Sequence, residues 1–220
     1  MEQKRKGYIE SLIEEGEHEH QDFKYQISDA KKIARSIAAF ANRSGGHLLV
    51  GVKDNGNIAG VRSDEEIYMV EQAAQMYCNP PQEVEFKVFR VHGKNVVKAS
   101  VQESDEKPVK APDENGIWRV YYRVADENVL ASSLHAKILK KSAENAENTL
   151  IEYGESERAL LAYLETHGGI TVTGYMKLAR LTRMHAESSL VKLSEMGLID
   201  LRYHNGECLV VPKSMTDIGH

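Results

Sequence analysis

Leu198-Ile199-Asp200-Leu201-Arg202-Tyr203, then His204-Asn205-Gly206, then Glu207-Cys208-Leu209-Val210-Val211 is the stretch on which the C-terminal fold turns. Apolar residues recur on both sides of Asn-Gly, a pair that supplies the positive φ a tight hairpin demands, so two antiparallel strands are predicted. Three helical patterns precede them. Leu160, Leu161 and Leu164 form a stripe that ends at Gly168-Gly169, and Tyr175, Leu178 and Ala179 form a second. After a tight turn near Leu181-Thr182, Ala186, Leu190 and Leu193 form a third, which Gly197 caps. Three helices followed by a hairpin is the order of a winged helix-turn-helix, which is predicted over residues 155–213.

In such a module the third helix enters the major groove, so its start and outer face should carry polar groups. Arg183, His185, Glu187, Ser188 and Lys192 are the candidates there. Lys177 and Arg180 on the preceding helix and Arg202 and His204 on the wing would add backbone contacts. The phrase Leu193-Ser-Glu-Met-Gly-Leu-Ile199 resembles the helix ends of bacterial regulators of this fold.

Charge tempers that expectation. The 220 residues carry a formal net charge of -5, and the last 70 hold 7 basic against 9 acidic side chains. Phosphate neutralisation needs Lys and Arg, so any nucleic-acid contact has to be local. A winged helix that binds protein instead is the alternative. No run approaches the roughly 18 apolar residues of a spanning helix, and no apolar signal region follows the charged first residues, so a cytoplasmic chain with no membrane partner is expected. Cys78 and Cys208 fit neither a disulfide framework nor a CxxC metal site.

Upstream, the pattern is mixed. A helix is predicted to Glu15, with a strand at Phe23-Lys24-Tyr25 and a helix from Asp29 to Asn42 that carries Ile33, Ile37 and Phe40 on one face. His47 to Val52 reads as a strand that Asp54-Asn55-Gly56 turns into a hairpin with Ile58 to Val61. Ser63 with Glu66 has capping-box spacing for a helix through Met76. Strands are predicted at Val84 to Val91, Asn95 to Val101 and Trp118 to Val124. Because strands and helices do not alternate as in a parallel βαβ chain, the fold class is α+β with a mixed sheet. Residues 1–135 form this domain, and 136–154, including Ala143 to Asn148, form a partly helical linker.

Several pieces then fall in a familiar order. Asp22-Phe23-Lys24, Ala39-Phe40-Ala41-Asn42 with Gly45-Gly46, Leu49-Val50-Gly51-Val52-Lys53-Asp54-Asn55-Gly56, and Gly60-Val61 come first. Lys107-Pro108, Tyr121-Tyr122-Arg123-Val124 and Ala131-Ser132 follow. Together they resemble the Schlafen AlbA-type domain over about residues 10–135. The family's usual Glu-Phe-Lys is Asp22-Phe23-Lys24 here, one methylene shorter.

The resemblance implies nucleic acid, most often DNA, as the partner and transcription regulation as the role. Symmetric operators imply a homodimer. Animal relatives use three carboxylates for metal-dependent RNA cleavage, and the matching positions are Glu17, Asp22 and Asp54. They define the alternative, a nuclease acting on RNA or single-stranded DNA with Mg²⁺ or Mn²⁺. Otherwise no cofactor is expected, and no enzyme activity is assigned. His18 and His20 with Glu17 and Glu19 are a second, less specified metal reading. ATP is not expected: the chain has no G-x-x-x-x-G-K-[ST], so Gly45-Gly46 are read as a tight helix-to-strand turn. Lys24, Arg43, Lys53 and Arg123 sit at or beside the matched motifs and form the candidate nucleic-acid patch, with Trp118, Tyr121 and Tyr122 available for stacking.

Overall fold

A computed structural model describes residues 7–61, 64–144, 154–204 and 206–213, in two units that divide between Ala131 and Ser132. The first is organised around an alanine-rich helix. Asp29 accepts the amides of Lys31 and Lys32 and so opens α2 (Ala30–Ala41). Ala34, Ala38, Ala39 and Ala41 are fully buried along it with Ile37 and Phe40. Small side chains all round let sheet approach the helix from more than one direction.

On one side lies a four-stranded sheet built from β1 (Gln21–Lys24), β2 (Gly46–Val50), β3 (Val84–Val91) and β4 (Lys94–Val101), in the order β1-β2-β4-β3. β1 and β2 run parallel, with Asp22 beside Leu48 and Phe23 beside Leu49, whereas β2–β4 and β3–β4 are antiparallel. The mixed sheet is as expected, but its first half is a β1-α2-β2 crossover, the βαβ unit that the spacing of later strands concealed. Period-2 alternation gives the sheet two apolar faces. Leu48, Val50, Val97, Ala99 and Val101 join the α2 core. Phe23, Leu49 and Val96 point to the other face and meet Ile9 and Leu12 of α1 (Tyr8–Glu15). Each such side chain contributes about 1.5–3 kcal/mol when fully buried.

On the other side of α2 lie β5 (Lys110–Pro112), β6 (Trp118–Val124) and β7 (Glu127–Leu130). Asn42, at the end of α2, donates to the carbonyls of Val109 and Tyr121, both at 2.8 Å, and accepts the Val109 amide at 2.7 Å. A helix C-cap thereby closes the second sheet. β5 and β7 escaped prediction because three or four residues are too few to show alternation. α3 (Glu65–Met76) packs Val70, Ala73 and Ala74 into the same core. Its expected cap, Ser63, lies outside the described residues, and Asp64 stands at the N-cap.

The hairpin predicted at residues 47–61 is not a ladder. Only an isolated bridge joins Val52 to Ile58. Instead the Gly51 carbonyl accepts the amides of Ala59 and Gly60, and the Val61 amide reaches the Asn95 carbonyl, so the returning segment folds over β2 towards β4.

The second unit holds α4 (Ser133–Ala143), α5 (Glu155–His167), α6 (Val172–Ala179), α7 (Arg183–Glu195), β8 (Ile199–His204) and β9 (Glu207–Pro212). Thr171 and Thr182 cap α6 and α7 by accepting the amides of Gly174 and His185. Leu160, Leu164, Tyr175, Ala186, Leu190, Leu193, Ile199 and Val210 form its core, to which α4 adds Leu134. Helix α4 covers positions 136–143 of the expected linker and belongs to this unit; positions 145–153, and Asn205 of the hairpin turn, lie outside the described residues. Among the described residues no helix is long and apolar enough to cross a membrane.

Candidate functional site

Glu17 and Asp22 meet at the start of β1. The Phe23 amide donates to Glu17 Oε1 at 2.8 Å, which folds the acidic segment back onto the strand. Asp22 is buried. Its Oδ2 lies 2.8 Å from Lys24 Nζ and accepts the Ser36 hydroxyl at 3.3 Å, while its Oδ1 lies 3.7 Å from Arg123 Nη2. Burial first, and then the hydrogen bond with Asp22, raise the Glu17 carboxyl to about 7 against the pull of the Phe23 amide. Burial also works against ionised Asp22, yet the Glu17 hydrogen bond, Lys24 and Arg123 outweigh it and hold that carboxyl below its ordinary value. Below about pH 7 the pair thus reads as a protonated Glu17 donating to an ionised Asp22.

This arrangement does not fit a divalent metal. Both Asp22 oxygens already face cations or donors, and a metal would have to displace Lys24 while lying close to a buried guanidinium. Asp54, the third expected ligand, is an exposed residue of the 53–57 turn and is not brought to the pair. Among the described residues no group of three or more His, Cys, Asp or Glu side chains is placed to hold an ion. His18 and His20 are instead part of the local backbone frame: the His20 amide donates to His18 Nδ1, and His20 Nδ1 faces the Gly45 carbonyl at 3.0 Å.

Of the four cations expected in the nucleic-acid patch, Arg123 is buried, while Lys24 and Arg43 are half-buried and paired with carboxylates. Arg123 is 1% exposed and is among the largest fully buried side chains of the described residues. It donates to the carbonyls of His18 and Gln21 and to Asn128 Oδ1, and its guanidinium lies 5.2 Å from the Phe40 ring centre. Asn128 passes the network on to Ser36 at 2.9 Å. Arg43 pairs with Glu19, donates to the Arg123 carbonyl at 2.7 Å and lies over Tyr122. Lys24 is engaged by Asp22 as above. The inward turn of Arg123 has a physical reason: the Tyr-Tyr-Arg-Val strand alternates, and Tyr121 and Arg123 share its inward face. Only Lys53 is exposed, with its ammonium 5.2 Å from the Tyr25 ring centre. Trp118 is exposed as well.

In the second unit Lys177, Arg180, Arg183, His185, Ser188, Lys192 and Arg202 are all exposed. Glu187 is not. Its carboxylate is buried, accepting from Lys137 at 2.5 Å, from the Ser133 hydroxyl at 2.9 Å and from Arg183 at 2.9 Å. It ties α7 to α4, and so it is removed from the base-reading candidates. Ser36 and Asn128 escape the sequence reading because single polar residues carry no periodic signal.

Residues 17–132 match the family model described as Schlafen, AlbA_2. No curated protein matches the chain. Two solved structures are similar in part. The DIP2311 protein of Corynebacterium diphtheriae is 22% identical over 89% of this chain and 45% of its own length, with a TM-score of 0.46. The N-terminal domain of a RecG-related protein from Nitrosomonas europaea is 21% identical over 68% of this chain and 98% of its own, with a TM-score of 0.42. The chain thus spans under half the length of the first of these.

Proposed function

This chain belongs to the Schlafen AlbA_2 family, and from that membership we propose that it is a nucleic-acid-binding transcriptional regulator whose second unit is a winged helix-turn-helix. One observation carries the reading. Helix α7 buries Ala186, Leu190 and Leu193 and leaves His185, Ser188 and Lys192 exposed. Lys177 and Arg180 on the preceding segment and Arg202 on the hairpin add exposed cations. Polar side chains at the start and outer face of a third helix are what major-groove reading requires. We further propose that the chain acts as a homodimer, since paired half-sites give such small surfaces their affinity.

The reading does not extend to cleavage. Glu17 and Asp22 are tied to each other and to Lys24 and Arg123, and Asp54 stands elsewhere, so incubation with structured RNA in Mg²⁺ or Mn²⁺ is expected to leave the substrate intact.

Titration of the full chain with duplex DNA over a range of salt tests the proposal. Binding is expected at 50 mM salt with a log–log slope of about -3 to -6. Lys192→Glu with Arg202→Glu should weaken it at least tenfold without changing the thermal midpoint. No duplex binding at low salt would overturn the regulator reading in favour of a protein-binding adaptor.

A further inference from the structure

Two adjoining clefts on the first unit are lined by cations and by no carboxylate. The larger, about 720 Å³, is bounded by Tyr25, Lys53, His92, Lys94 and the loop from Gly56 to Ala59. The second, about 380 Å³, shares Ala59 and Lys94 with it and adds Arg90 and Asn95. The cluster of Lys31, Lys32 and Arg35 at another cleft differs, because Asp29, Asp113 and Glu114 line that one too. In a chain of net charge -5, an acid-free trough is a local inversion of the overall field.

The floor of the trough is fixed before any ligand arrives. Lys94 Nζ donates to the Ile58 carbonyl at 2.8 Å, and the Val61 amide to the Asn95 carbonyl at 2.7 Å, so the 56–61 loop is pinned to β4. Glu10, which lines neither cleft, pairs with His92 at 2.9 Å. Asp54 follows Lys53 in sequence but lines neither cleft. Tyr25 is 38% exposed, beside the Lys53 ammonium.

We infer that this trough binds single-stranded nucleic acid, with phosphates on Lys53, Lys94 and Arg90 and a base stacked on Tyr25. The inference rests on the nucleic-acid part of the proposed function and adds a second site on the other unit. An open trough running through two clefts suits a chain of phosphates better than one enclosed nucleotide. An exposed aromatic among cations suits unpaired bases, whose faces a duplex conceals.

Anisotropy of labelled 12-nucleotide single strands, DNA and RNA, and of a 20-base-pair duplex, each titrated with the full chain, tests it. Lys53→Gln with Arg90→Gln is expected to weaken single-strand binding at least tenfold. The same pair should reduce the salt slope by about 1.4, from the loss of two phosphate contacts. Tyr25→Leu should weaken it about five- to hundredfold. Duplex binding should be unchanged in all variants, whose exposed positions leave the thermal midpoint in place. Wild-type single-strand affinity in the variants, or duplex binding without single-strand binding, overturns the trough and leaves the regulator reading standing. Single-strand binding without duplex binding supports the trough and overturns the regulator reading. Binding of neither overturns both.

Discussion

Arg123 Nη2 lies 3.7 Å from Asp22 Oδ1, joining two motifs about a hundred positions apart in sequence through a guanidinium that is 1% exposed. The pair ties β1 to β6, and the carbonyls of His18 and Gln21 take up further Arg123 donors. A buried ion pair is weak evidence for net stability, but removal of one partner is costly because the other stays behind. Arg123→Met retains the stem beside Phe40 and strands those acceptors. Urea unfolding is expected to show a loss of about 3–5 kcal/mol; a loss under about 1 kcal/mol would reduce Arg123 to a bystander.

The Glu17–Asp22 contact predicts a pH dependence of a sign unusual for carboxylates. Glu17 titrates at about 7 in the folded chain, first through burial and then through its bond to Asp22, against an ordinary value of 4.5. The folded state therefore holds the proton more tightly. The stabilisation is complete below about 4.5 and is lost as pH rises through about 7. Between pH 5 and pH 8 the thermal midpoint of the wild type should fall relative to that of Glu17→Gln, which mimics the protonated form and lacks this contribution to the slope. An unchanged slope in the variant would place the proton elsewhere.

Gly51 and Gly116 separate backbone strain from lack of space. Both have positive φ, +94° and +77°, but a Cβ at Gly51 would lie 2.9 Å from the Gly60 carbonyl carbon, whereas one at Gly116 meets nothing within 4 Å. Gly116→Ala carries only the left-handed penalty, about 1 kcal/mol. Gly51→Ala must also push the 59–61 segment away from β2, and a loss of at least about 2 kcal/mol is expected. Equal losses in parallel denaturant titrations would show that the Gly60 approach is not tight.

The sequence made the periodic parts legible. Helices α2, α5 and α7 and the β3–β4 hairpin carry runs long enough for their 3.6 or 2.0 period to show, and Asp22-Phe23-Lys24 through Tyr121-Tyr122-Arg123 pointed to the family that residues 17–132 match. What stayed hidden depends on contacts distant in sequence. The strand, helix and strand of the β1-α2-β2 crossover were each legible, but the parallel pairing of β1 with β2 was not, because the hairpin-linked strands that follow suggested antiparallel order. Arg123 read as surface charge because only its register on β6 turns it inward. The carboxylates were grouped by motif position, whereas the fold joins Glu17 to Asp22 and leaves Asp54 on an exposed turn.

Glu187 shows the same point in the second unit, where a residue taken as a base-reading candidate is a buried tie. Burial disfavours its ionised form, but hydrogen bonds from Lys137, Ser133 and Arg183 outweigh that and hold the carboxyl below its ordinary value. The stabilisation it contributes is therefore present above about pH 4.5 and lost as pH falls below that. Two of its three donors, Ser133 and Lys137, lie on α4, so the carboxylate fixes that helix against α7. Glu187→Ala removes the acceptor and leaves Ser133 without this partner, and a loss of about 2–4 kcal/mol is expected. Glu187→Gln keeps the shape and one acceptor but not the charge, so its loss should be smaller. Thermal melts of the wild type and both variants between pH 3 and pH 7 check this: the gap between wild type and variant should narrow towards pH 3. A gap independent of pH would assign the role of Glu187 to packing alone.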